Sequence, residues 1–219
     1  MKKIELLGNE IKDYPLKELL KLATDGLQSP GVLTISWLSG NILMSVNSNQ
    51  EQKEWLNDID LTICPNAKML KGRDGTFKQD NDGKSQDFID IYFKYISKVS
   101  VDIALVTDTD KRMNDLKKWI KENGAKLNVI SEFTIDDMEQ KDYLFNSLNM
   151  EMSRMVITCL PWTLQGELFS YAKRLSNSSA WMAVLPEMVQ DKKSKEQTFI
   201  QNIKRIFVHK KTKKHKKKK

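Results

Sequence analysis

Continuous apolar runs and helical repeats take turns along this chain. Residues 32–38, 59–64, 101–106, 155–160 and 180–185 are rich in β-branched and bulky apolar side chains with little polar alternation, the pattern of strands buried on both faces. Shorter candidates lie at 4–7 and 127–130. Behind Pro15, Leu16, Leu19, Leu20, Ala23 and Leu27 recur at helical spacing, and Ser29-Pro30-Gly31 stops that helix. The same spacing predicts a short helix holding Trp55 and Leu56, one from Ser85 through Tyr95, and one through Leu116 and Ile120 behind the capping run Thr107-Asp108-Thr109-Asp110. Two more run through Leu144 and Leu148 and through Leu168, Tyr171 and Leu175. The stretch with Asn47, Ser48, Asn49 and Gln50 reads as a polar connection.

Strands alternating with helices predict an α/β fold, a Rossmann-like three-layer sandwich around a mostly parallel sheet over residues 1–190. Residues 191–219 then form a basic appendage, a short basic helix with a disordered lysine tail. Ligands of such sheets sit beyond the carboxyl ends of the strands, which singles out 36–41, 65–84, 107–111, 131–137 and 161–167. Between 66 and 84 the periodicity collapses around Gly72, Gly75 and Gly83, and a connection of that length is functional or disordered.

Charge sharpens the division. The 36 Lys and Arg against 29 Asp and Glu give a net +7, yet residues 204–219 hold ten of the basic residues and none of the acidic ones. The rest carries 26 minus 29, or −3, so the body is mildly acidic and the basicity belongs to the tail. The apolar positions of 199–208 recur at helical spacing beside Lys204 and Arg205, and Lys210, Lys211, Lys213 and Lys214 follow. An amphipathic basic helix before a polybasic run reads as an anchor to an anionic membrane surface. An inert solubilising tail and a nucleic-acid contact are the alternatives, and the lack of aromatic residues among the lysines weighs against the last.

The only two histidines, His209 and His215, lie in that tail, and the only two cysteines, Cys64 and Cys159, sit in separate apolar runs. Ser-His-Asp and Cys-His nucleophiles, His-ligated metals and Cys-rich zinc sites are therefore excluded, and no metal or other cofactor is expected. Buried free thiols suit a reducing compartment. No run reaches 18 apolar residues and Glu5 interrupts the first one, so neither a membrane span nor a signal peptide is expected and the chain reads as cytoplasmic. Gly83-Lys84-Ser85 lacks the earlier glycine of a phosphate loop, since that position is Lys78. Asp80-Asn81-Asp82-Gly83 places its glycine too early for a calcium loop.

Several strings resemble the WecG/TagA/CpsF family of bacterial glycosyltransferases: Ile4-Glu5-Leu6-Leu7-Gly8-Asn9-Glu10-Ile11 at the start, then Trp55-Leu56-Asn57-Asp58-Ile59-Asp60-Leu61 leading into a strand. The likeness spans about residues 3 to 186. It implies an inverting transfer of an N-acetylhexosamine-type sugar from a UDP donor to a lipid-linked, undecaprenyl-diphosphate saccharide, in cell-surface polysaccharide or teichoic acid synthesis. The UDP-sugar is then a substrate, and the enzyme works at the inner face of the cell membrane. The family's base is an aspartate after that strand, and in Cys64-Pro65-Asn66-Ala67 the position holds Asn66, an amide that takes no proton at neutral pH. Asp74, Asp80, Asp82 and Asp87 are the substitute candidates, Asp87 falling in a string similar to the family's Gly-x-Asp-Leu.

Thr107 stands where the family has a donor-facing glycine, with Asp108 and Asp110 beside it. The family's Gly-x-Pro-x-Gln-Glu is similar to 159–167, where Gly166 separates Gln165 from Glu167. Trp162, directly after a strand, is placed to stack on a base or sugar. Arg205 matches a family arginine that reaches over the donor. The resemblance thus implies Thr107, Trp162, Gln165, Glu167 and Arg205 as substrate contacts. A catalytically silent homologue that partners or regulates an active transferase is the second reading, with a partner glycosyltransferase or a second copy as binding partner.

Overall fold

The computed structural model describes residues 2–6, 8–63, 84–123 and 126–189. Asn66, Asp74, Asp80, Asp82, Lys204, Arg205, Lys210, Lys211, Lys213 and Lys214 lie outside the described residues, as does the whole of the appendage expected at 191–219.

The chain opens with an antiparallel hairpin of β1 (Lys2–Leu6) and β2 (Asn9–Asp13), turned at Gly8, whose φ of 78° is one that a side chain resists. Helix α1 (Leu16–Gly26) leads to β3 (Leu33–Trp37), then α2 (Gly40–Asn47), α3 (Gln50–Asp58) and β4 (Leu61–Ile63). After α4 (Lys84–Lys98) come β5 (Asp102–Thr107), α5 (Asp110–Glu122), β6 (Asn128–Thr134) and α6 (Lys141–Glu151), the last entered through a single 3-10 turn. The described chain closes with β7 (Met155–Cys159), α7 (Trp162–Leu175), β8 (Ala180–Ala183) and α8 (Pro186–Val189).

Six of these strands form one sheet in the order β4-β3-β8-β7-β5-β6, every pair parallel. The fold is α/β, a Rossmann-like three-layer sandwich, as the apolar runs predict. Right-handed crossovers that step in opposite directions put α2, α3, α6 and α7 on one face and α1, α4 and α5 on the other. The inner strands β3, β5, β7 and β8 are buried along almost their whole length. Trp37 and Trp181 anchor the two layers, Trp37 edge-on to Phe88 of α4 and Trp181 tilted against Phe145 of α6.

The structure departs from the sequence reading in three places. β2 is a strand with only Asn9 and Ile11 buried, too polar to stand out. α2 forms over 40–47, just ahead of the polar stretch and where the sequence reading places no element, because Ile42, Leu43 and Val46 share one buried face. β6 runs to Thr134 instead of ending near 130: as an edge strand it alternates, with Val129, Ser131 and Phe133 half-buried and the residues between them exposed.

Candidate functional site

Beyond the carboxyl ends of β3, β7 and β8 lies a cavity of about 300 Å³. That is the lower end of the range for ligand pockets, enough for one pyranose or pyrimidine ring. Its strand-end lining is Ser36 from β3 and Ala183 from β8. α2 contributes Ile42 and Ser45 with Asn41 in its first turn, and α7 contributes Trp162 and Gln165. Leu185 and Glu187 come from the chain after β8.

Two helix N-termini reach this cavity. α2 is capped by Ser39, whose Oγ accepts from the amide of Ile42 at 3.3 Å, while α7 starts behind Pro161 with no side-chain cap. The first amides of α7 are thus open to a ligand acceptor.

The decisive groups are two donors. Gln165 is 3% exposed, and Thr158 Oγ1 of β7 donates to its Oε1 at 2.5 Å. That bond leaves the Gln165 Nε2 buried without a partner, and the Trp162 indole Nε1–H is in the same condition. Burying an unpaired donor costs about 1–3 kcal/mol. Both residues line the cavity, and a ligand bringing acceptor oxygens within reach of these two donors would recover that cost. Among the described residues that line it, none is cationic and one is ionisable, Glu187.

The other sequence candidates fall elsewhere. Thr107 is fully buried and its Oγ1 donates to the carbonyl of Thr109 at 3.0 Å, closing the turn into α5. Glu167 is half-buried on α7 and does not line the cavity. Asp87 is exposed in the first turn of α4, a helix of the opposite face. Asp108 is ion-paired with Arg112 one turn along α5, which neutralises a carboxylate at the strand crest. The structure therefore brings Trp162 and Gln165 together and leaves Thr107, Glu167 and Asp87 outside.

Glu187 and the α2 residues carry no motif in the sequence. Their only signal is position, since α2 continues from the strand-end segment 36–41 and Glu187 follows the last strand. Nearby, burial pushes the Cys159 thiol up to about 12, opposed by Arg112 and reinforced by Asp108 and Glu187. A thiol so high is no nucleophile at neutral pH. Among the described residues no group of acidic, Cys or His side chains could hold a metal, and no helix is long and apolar enough to cross a membrane. Neither a protein-family model nor a curated protein matches the chain.

Proposed function

We propose that the chain is a divergent glycosyltransferase that moves an N-acetylhexosamine-type sugar from a UDP donor to a lipid-linked saccharide in cell-surface polysaccharide or teichoic acid synthesis. One observation carries the reading: Trp162 and Gln165 both line one cavity beyond the carboxyl ends of a parallel sheet, and each has a buried donor, Nε1 and Nε2, without a partner. A sugar ring with hydroxyl and acetamido oxygens supplies the acceptors they lack. The cavity volume fits that ring alone, and with no cation among the described lining residues the diphosphate lies outside it. The family-like strings at the start of the chain and around residues 159–167 support the same reading. The basic segment from Lys204 onward suits an anionic membrane surface, where a lipid-linked acceptor resides.

A catalytically silent homologue that binds the donor and partners an active transferase is the second reading. It is favoured by Asn66 at the family's base position and by Asp87 lying away from the cavity. The test of donor binding is a thermal shift with UDP, UDP-N-acetylglucosamine and UDP-N-acetylmannosamine. At about 100 times its dissociation constant a ligand stabilises the fold by about 2.7 kcal/mol. A rise specific to the nucleotide-sugars is the expected result, and no rise with any UDP compound at millimolar concentration refutes the reading.

A further inference from the structure

We propose that Glu187 is the general base of the transfer, an inference that rests on the glycosyltransferase reading above. Asn66 cannot take a proton, so the reaction needs a carboxylate that reaches the sugar-binding cavity. Among the described residues lining the cavity, Glu187 is the one that can accept a proton. It is exposed, as a group that meets an acceptor arriving from outside must be.

Its charge is also uncommitted. Arg112, which like Glu187 acts on the Cys159 thiol, is held by Asp108, and Glu187 forms no ion pair among the described residues. The competing carboxylates have other engagements: Asp108 holds Arg112, Asp110 sits in the first turn of α5 and accepts from Thr134 Oγ1 at 3.4 Å, and Asp87 is on the far face. The cavity wall thus combines two α7 residues that carry unpaired donors with one carboxylate from α8 that has no ion pair among the described residues.

In the step, the acceptor hydroxyl oxygen forms its bond to the anomeric carbon while the bond from that carbon to the β-phosphate oxygen breaks. UDP leaves with the electron pair, and the hydroxyl proton passes to the Glu187 carboxylate. Configuration inverts because attack and departure are on opposite sides of the ring.

The experiment uses the full chain, UDP-N-acetylmannosamine as donor and a short-chain prenyl-diphosphate-linked N-acetylglucosamine as acceptor, with UDP release as the rate and calorimetry as the binding readout. Glu187→Gln should slow UDP release at least about 100-fold and leave the donor dissociation constant within about threefold, since a general base contributes roughly 10²–10⁴. Formate added to Glu187→Ala should restore release at least about tenfold, a rescue that a purely structural residue does not show. Release by Glu187→Gln within about threefold of the unaltered chain, with donor binding intact, overturns the role of Glu187 and leaves the transferase reading standing. An unaltered chain that binds no donor, or binds it and releases no UDP, overturns both.

Discussion

Gly166 links the packing of the protein to its cavity, and replacing it by alanine tests that link. It lies inside α7, one residue after Gln165, where α3 crosses the helix. A Cβ built at Gly166 would stand 2.4 Å from Cε3 and 2.9 Å from Cδ2 of Trp55. Carbon atoms in contact settle at about 3.5–4.0 Å, so the methyl overlaps the indole by more than an ångström. Overpacking costs about 1–3 kcal/mol, an overlap this large falls at about 2–3 kcal/mol of that range, and the better helix propensity of alanine returns about 1 kcal/mol. The expected net loss for Gly166→Ala is about 1–2 kcal/mol, and at about 2–4 °C per kcal/mol for a chain of this size Tm falls by about 2–8 °C. Urea unfolding followed by far-ultraviolet circular dichroism measures it, with Trp55→Leu as the second arm of a double-mutant cycle. In the Trp55→Leu background the alanine should be neutral or stabilising, giving a coupling of about 1–3 kcal/mol. Gly166→Ala as stable as the parent with Trp55 in place would refute the close approach of α3 to α7. The same glycine accounts for the break between Gln165 and Glu167: the helix has no room for a side chain there.

Three further predictions follow from the same contacts. Trp162→Phe removes a buried unpaired donor, a gain of about 1–3 kcal/mol that the lost contacts of the smaller ring offset, so stability without ligand should change by less than about 1 kcal/mol while donor affinity falls about tenfold, as calorimetry would show. The Lys84 ammonium, 7% exposed, meets Asp13 at 2.6 Å and ties the hairpin to α4. Lys84→Met should cost about 2–3 kcal/mol in urea unfolding, less than a fully buried pair because Asp13 keeps some contact with water, and Asp13→Leu added to it should recover most of the loss. In a Cys64→Ser background, Cys159 should resist Ellman's reagent at pH 8 until urea unfolds the chain; labelling of the native protein would contradict its burial. Because its thiol is raised from 9.0 to about 12 on folding, the stability tied to the protonated form is complete below pH 9 and is lost as pH climbs toward 12.

The sheet was legible because its inner strands are buried on both faces, so Thr34-Ile35-Ser36-Trp37 and Met155-Val156-Ile157-Thr158-Cys159 stand out with no need of tertiary information. Elements held by partners were not. β2 gains its place from Thr62, whose hydroxyl donates to the carbonyl of Lys12 at 3.1 Å, and from the Asp13–Lys84 pair, neither of which a local pattern reveals. α2 begins on Gly40 and is only eight residues long, so its weak propensity hides a helix that forms one wall of the cavity. Trp162 and Gln165 could be singled out because they follow a buried strand. Glu187 could not, since its relation to Gln165 arises only when β8 is laid between β3 and β7.

The most direct test of the cavity as the donor site is calorimetric titration of UDP-N-acetylmannosamine into the full chain and into Gln165→Leu. The account predicts saturable binding by the unaltered protein and at least a tenfold weaker dissociation constant for the variant, about 1.4 kcal/mol, because the buried amide that should meet a sugar oxygen is gone. Equal affinity in the two proteins, or no binding by either, would contradict it.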